Sequence, residues 1–207
     1  MKALFSRDPF YELLFTFNQT DLNFKNKTIL LILIATLVRS VAAGCIELGN
    51  DEAYYRMYAQ FLQWNYFDHP PAVGWLIRAT TFNLFLDNEF FIRLGAILSA
   101  AITSWLLFLC GRKLMNDYAG FLAVLIYTAT LYGSIIAGIF ILPDSPQMIF
   151  WSGGLYLLID IAGYRINDNE KRESCYGLVL LQVSVCFAKC ILRFSGPGCC
   201  FISCSMI

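Results

Sequence analysis

Charge is scarce in this 207-residue chain, and histidine is nearly absent. Charged residues make up 14% of it, against about 25% in an ordinary soluble domain. Its 15 Lys and Arg balance 15 Asp and Glu, for a formal net charge of zero. A chain without a basic excess has no electrostatic footprint for a polyanion, so no nucleic-acid partner is expected. One histidine, His69, excludes a zinc site built on several imidazoles. No internal repeat and no flexible interdomain linker is evident, which leaves a single domain.

Apolar sequence takes the place of charge: 58% of residues are hydrophobic and 16% aromatic, with a mean hydropathy of +0.59. This composition points to an all-α, polytopic transmembrane helix bundle of about four or five spans. The spans read as residues 28–46, carrying Arg39; 90–110, carrying Arg93; 118–141; 145–162; and a weaker 176–192. The first lies too far from the start for a cleaved signal peptide and reads as an uncleaved signal anchor. Residues 1–27 form a cytoplasmic segment, 28–165 the membrane domain and 166–207 a divergent tail.

Orientation follows from the Lys/Arg bias. Lys2, Arg7, Lys25 and Lys27 precede the first span, Arg112 and Lys113 follow the second, and Arg165, Lys171 and Arg172 follow the fourth. The amino terminus is therefore expected in the cytoplasm, with the 47–89 loop and the 142–144 turn outside. Phe10, Leu13, Leu14 and Phe17 fit a short amphipathic helix on the cytoplasmic surface, or an ordinary packing helix.

The 47–89 loop concentrates the chemistry. Asn50 reads as an N-cap, placing Asp51 and Glu52 in a first helical turn, where the helix dipole favours carboxylates. Tyr54, Tyr55, Tyr58, Phe61 and Leu62 would form one aromatic face. Pro70 and Pro71 start a second helix with a stripe of Val73, Leu76, Ile77, Thr80 and Leu84. Two in-plane amphipathic helices in the first outer loop are thus expected, a platform at the outer leaflet.

Each candidate has a plain alternative. Asp51, Glu52 and Asp144 are also what helix starts favour, and His69 suits a hydrogen-bonded turn. Arg93 sits near a span end, where snorkelling competes with lining a polar cavity. Arg39 lies deeper, with a structural ion pair as its alternative. On topology, Asp51, Glu52, Asp144 and Arg93 converge on one outer cavity.

Taken in order, these residues resemble the membrane glycosyltransferases of the protein O-mannosyltransferase and aminoarabinose transferase type, within the GT-C fold class. Asp51-Glu52-Ala53-Tyr54-Tyr55 follows the first span, as that family's acidic motif does. Tyr66-Phe67-Asp68-His69-Pro70-Pro71 resembles its histidine-proline-proline segment, and Arg93-Leu94 its arginine-leucine pair. Leu142-Pro143-Asp144-Ser145-Pro146 resembles a threonine-proline-aspartate-serine-proline turn, with Leu142 in place of threonine. The resemblance covers roughly residues 28–158, the amino-terminal part of a GT-C membrane catalytic domain.

The resemblance implies transfer of a sugar from a polyprenyl-phosphate donor to a lipid or protein acceptor outside the cytoplasm. Asp51 would activate the acceptor hydroxyl, and Glu52 would support it or hold a metal. Arg93 would stabilise the phosphate leaving group. Asp144 would line the same cavity, His69 would orient donor or acceptor, and Tyr54 and Tyr55 would bind substrate. A divalent cation, Mg or Mn, is the one candidate cofactor, held through carboxylate oxygens; no obligatory metal is expected.

Two other classes compete. A transporter or lipid flippase would use Arg39, Arg93 and the acids along a path, but such proteins place binding groups near the midplane and repeat their halves. A non-catalytic scaffold would tolerate replacement of Asp51 and Asp144 together. In the tail, Cys175, Cys186, Cys190, Cys199, Cys200 and Cys204 match no zinc spacing. The abrupt shift to Cys-, Ser- and Gly-rich sequence is expected to mark a frameshifted or truncated reading frame, which would leave this chain incomplete and its activity in question.

Overall fold

The computed structural model describes residues 23–64, 66, 69 and 71–162. The amphipathic stretch at Phe10–Phe17, the 176–192 span, the tail cysteines and Asp68 lie outside the described residues.

Among the described residues the fold is all helical. Six α-helices follow in order: α1 (Phe24–Cys45), α2 (Asn50–Gln60), α3 (Ala72–Thr80), α4 (Glu89–Leu114), α5 (Asp117–Ala129) and α6 (Asp144–Ala162). A single π-helical turn, Tyr132–Ile136, lies between α5 and α6. Three starts are fixed by asparagine caps. Asn23, Asn88 and Asn116 accept from the amides of Asn26 (3.2 Å), Phe91 (3.0 Å) and Ala119 (2.8 Å). Each satisfies one of the four amides a helix leaves unpaired at its start.

Helix α4 is central and packs against α1, α3, α5 and α6. Both α1 and α4 are long and apolar enough to cross a membrane. They are buried very differently: 22% of the apolar window of α1 is covered, against 50% in α4. Leu30, Leu33, Leu37, Val38 and Val41 of α1 all stay exposed. A soluble core helix would hide such a face; a lipid-facing helix has no reason to. The chain is a membrane protein, and the apolar flank of α1 is left uncovered by the described residues.

Small residues bring α4 and α5 together. A Cβ on Gly111 would stand 2.7 Å from the Gly120 Cα, and one on Gly120 would stand 2.6 Å from the Phe108 carbonyl oxygen. Close backbone approach of this kind is how helices gain packing contacts inside a bilayer. At the same end Arg112 pairs with Asp117 (2.9 Å). Lys113 pairs with Asp160 and stands 4.6 Å from the Tyr156 ring centroid. Twenty residues of helix, or about 30 Å, separate Lys113 from Arg93, close to the thickness of a hydrocarbon core.

Several expectations need correction. Residues 118–141 do not form one helix: α5 stops at Ala129, and Thr130 is extended at φ −73°, ψ 142°. The Thr130 hydroxyl donates to the Tyr127 carbonyl (2.8 Å) and accepts from the Gly133 amide (3.2 Å), offering local bonds that compete with the helix. Helix α2 starts at Asn50 with Gly49 as its cap, one residue earlier than expected. The aromatic face of α2 divides: Tyr55 and Tyr58 are buried, whereas Tyr54 and Phe61 are exposed. Leu84 lies beyond α3, yet still packs on the cluster around Tyr55, Tyr58, Val73, Ile77 and Ile92. Phe82, Asn83 and Leu84 adopt left-handed φ values of 49°, 62° and 66°. The Arg78 guanidinium, bonded to the Asn83 side chain (2.5 Å), and the Thr81 hydroxyl, accepting from the Leu84 amide (3.2 Å), hold this turn.

Candidate active site

The carboxyl end of α1, the start of α2, the middle of the chain before α6 and the first turns of α4 meet at one ion pair. Arg93 is fully buried and Glu52 nearly so. The Arg93 Nε donates to Glu52 Oε1 (2.8 Å) and Nη2 to Oε2 (2.5 Å), a bidentate arrangement. The remaining guanidinium N–H groups go to backbone carbonyls. Nη1 donates to Ala43 (3.0 Å) and Ile46 (2.6 Å), and Nη2 to Glu47 (2.8 Å). A guanidinium has five N–H donors, and five acceptors surround this one.

The carboxylate is equally full. Glu52 Oε2 also accepts from the Gly49 amide (3.0 Å), closing the start of α2, and Oε1 accepts from the Ile141 amide (3.1 Å). The last carbonyls of a helix lack intrahelical partners and carry partial negative charge. Arg93 supplies a cation there for α1. Amides at a helix start carry the opposite sign, and Glu52 supplies an anion there for α2. One ion pair therefore seals the end of one helix and the start of the next, and ties both to the chain entering α6. Burial of an arginine this far inside is compensated because every donor and every carboxylate lone pair is used. Arg93 does not snorkel.

Asp51 is the adjacent residue and has the opposite fate. One step along a helix rotates the side chain by about 100°, which turns Asp51 outward. It is exposed, and among the described residues its carboxylate has no hydrogen-bond or ion-pair partner. Tyr54 and Tyr55, three and four residues on, are its neighbours on the helix surface. The Tyr54 and Tyr58 hydroxyls lie 3.1 Å apart. His69 stands edge-on to Tyr55, with ring centroids 5.4 Å apart and planes at 72°. Tyr66 stacks on Tyr58 at 3.6 Å, and its hydroxyl donates to the Tyr58 carbonyl (2.8 Å). Asp51 and Tyr54 are thus exposed on one flank of α2, while the Tyr55 ring is buried against His69.

Asp144 opens α6, is half-buried and is hydrogen-bonded by the Tyr132 side chain. Its turn is held by Ser145, whose hydroxyl donates to the Phe140 carbonyl (3.1 Å). Ile141, three residues earlier, is the one that reaches Glu52. Among the described residues, no three His, Cys, Asp or Glu side chains gather as a metal-binding group, so Asp51, Glu52 and Asp144 do not form one. Glu52 has no free lone pair to offer a cation. Sequence reasoning missed Tyr132, which no motif marks, and gave Tyr66 no role of its own although it opens the histidine-proline-proline segment.

The loop is braced from the far side by Arg56. Its Nε donates to Asp87 Oδ1 (2.8 Å), and Nη2 pairs with Oδ2. The hydrogen bond from Arg56 holds the Asp87 carboxyl below its ordinary pKa, against the opposing effect of burial.

The family model for dolichyl-phosphate-mannose-protein mannosyltransferase matches residues 68–189, more than half of the chain. The match begins at the segment bearing His69, contains Arg93 and Asp144, and continues through the first part of the 166–207 region. No curated protein and no solved structure matches.

Proposed function

The chain belongs to the dolichyl-phosphate-mannose-protein mannosyltransferase family, and from that membership we propose a specific reaction and a base for it. The reaction class is glycosyl transfer of the mannosyltransferase type at a membrane. The donor is a sugar carried on a polyprenyl phosphate, and the acceptor is a lipid or protein hydroxyl on the extracytoplasmic face, where α2, α3 and the turn before α6 lie. The acceptor oxygen bonds to the anomeric carbon as the bond from that carbon to the phosphate oxygen breaks. The electron pair leaves with the lipid phosphate, and the acceptor's proton passes to Asp51.

The observation that carries this reading is the division of labour between two adjacent acids. Glu52 is locked into Arg93, Gly49 and Ile141, so it cannot accept a proton without dismantling its surroundings. Asp51 is open to an incoming group on the same turn. A general base must come within hydrogen-bond reach of the proton it takes, and only Asp51 of the pair presents itself. The full engagement of Arg93 supports a positioning role, fixing where α2 begins, rather than direct contact with the phosphate. Exposed Tyr54 supplies a flat face and a hydrogen-bonding tip beside Asp51, buried Tyr55 and half-buried His69 back it from beneath, and Asp144 would bind substrate from the start of α6.

The test is transfer of radiolabelled sugar from polyprenyl-phosphate donors by membranes containing the chain. Asp51→Asn should lower transfer to a hydroxyl acceptor by about 10²–10⁴-fold. It should leave the melting temperature unchanged. Transfer at the wild-type rate by the Asn variant would remove Asp51 as the base.

A further inference from the structure

A second arginine, Arg39 of α1, is 3% exposed and lies within an apolar span. Among the described residues no carboxylate pairs with it. Its guanidinium instead faces backbone: Nη2 donates to the Gly133 carbonyl (3.2 Å), and Nε points at that of Ser134 (3.4 Å). These two carbonyls belong to the π-helical turn that follows the break after α5. In an uninterrupted helix they would accept from the amides of residues 137 and 138. The turn has shifted that register: the Ala137 amide goes back to Tyr132 (2.8 Å), and those of Ile139 and Phe140 to Ile135 (2.9 and 3.3 Å). Carbonyls released by such a shift are costly in an apolar setting unless another donor reaches them. Arg39 is that donor.

The space it needs is provided by glycine. A Cβ on Gly138 would stand 2.8 Å from Arg39 Nε, 2.5 Å from the Gly133 oxygen and 2.6 Å from the Ser134 oxygen. The shifted register also decides where the chain emerges. Three residues past Gly138, the Ile141 amide donates to Glu52, and three residues further Asp144 opens α6.

We propose that Arg39 is a positioning residue for the active site: it clamps the broken segment at Gly133 and Ser134 and so sets the placement of Ile141 against Glu52 and of Asp144 at the start of α6. The clamp itself stands on this geometry; its catalytic consequence rests on the transfer reaction proposed above. A charged side chain bonded to carbonyls is a recognised way to keep an ionisable group inside a membrane. Here it is used to hold an irregular backbone that would otherwise relax toward continuous helix.

The experiment is hydrogen exchange read by mass spectrometry on the full chain in lipid nanodiscs, paired with sugar transfer. Arg39→Met should speed exchange of the 137–142 amides by about tenfold or more, with residues 95–110 of α4 unchanged. Arg39→Lys, which keeps the charge and can reach one carbonyl, should fall between. Gly138→Ala, which crowds the guanidinium, should reproduce the Met variant, and combining the two should add little. In transfer, the loss should fall on kcat, with KM for the donor within about twofold, since the clamp touches no substrate. Unchanged exchange at 137–142 would overturn the proposal, as would equal loosening across α4. Local loosening with kcat intact would overturn the catalytic consequence. If the wild-type chain transfers no sugar, the transfer reading fails and exchange alone decides the clamp.

Discussion

Replacing Glu52 by glutamine tests the ion pair most directly, because the side chain keeps its shape and loses only its charge and half its acceptors. Glu52 Oε1 receives Arg93 Nε and the Ile141 amide; Oε2 receives Arg93 Nη2 and the Gly49 amide. Whichever way the new amide turns, its NH2 group faces two donors. Arg93 stays buried, with five N–H groups and no counter-charge. Removing one partner of a buried pair costs about 3–5 kcal/mol, a large part of the ~5–15 kcal/mol that holds a typical protein folded. For a chain of this size each kcal/mol shifts the melting temperature by roughly 2–4 °C, so a fall of roughly 6–20 °C is expected.

Intrinsic tryptophan fluorescence of the purified protein during heating reads this shift. Asp51→Asn serves as the matched control: it removes a charge of the same sign one residue away, from an exposed position. Surface substitutions of that kind stay within about 0.5 kcal/mol, so its melting temperature should not move by more than about 2 °C. The double variant Glu52→Gln with Arg93→Gln should lose less than the sum of the two single losses by more than about 1 kcal/mol, the mark of residues acting as one unit. A melting temperature for Glu52→Gln equal to that of Asp51→Asn would refute the reasoning.

Two further outcomes are expected. Gly120→Ala should destabilise the α4–α5 contact by about 1–3 kcal/mol through overpacking, because its Cβ would stand 2.6 Å from the Phe108 carbonyl oxygen. Gly154→Ala, where nothing lies within 4 Å, should match or exceed wild-type stability through helix propensity; thermal melting of both variants checks the pair. Asp87, with its pKa lowered by Arg56, should stabilise the loop above its unfolded pKa of about 3.9. That contribution fades as pH falls through the lower folded value, since the unfolded chain takes up the proton first. The pair is partly solvent-exposed, which limits the effect to a few tenths of a kcal/mol, about what surface pairs contribute. Acid-dependent pepsin cleavage within residues 81–88 should lose this component in Asp87→Asn.

Element types were largely legible in the sequence because long apolar runs bounded by charge have few alternatives to a helix. Residues 145–162 and 90–110 lie inside α6 and α4, and Pro71 immediately precedes α3. The break after Ala129 was not legible. Its cause is a threonine bonding locally and an arginine about 95 residues earlier in the chain, and neither leaves a trace in hydropathy. The same holds for the pairing of Glu52 with Arg93 across 41 residues. A motif identifies that both residues belong near one site; it does not say that they consume each other's hydrogen-bonding capacity. The even aromatic face expected for α2 divided for another reason. Tyr55 and Tyr58 are drawn under α3 by Val73 and Ile77, while Tyr54 and Phe61 point away from that contact.

Why an adjacent Asp and Glu should carry such different work follows from helix geometry and charge together. Both sit in the first turn of α2, where the dipole favours an anion. The inward position meets the end of α1, whose carbonyls demand a cation, and an arginine from α4 answers both needs at once. The longer glutamate spans the distance to Arg93 while its second oxygen folds back onto the Gly49 amide. A shorter side chain there would have to surrender one of those contacts. The outward position has no such obligations, and its exposed carboxylate has no partner among the described residues. Exchanging the two residues, Asp51→Glu with Glu52→Asp, keeps composition and charge identical. It should nonetheless lose stability, because the inward carboxylate no longer reaches both Arg93 and Gly49.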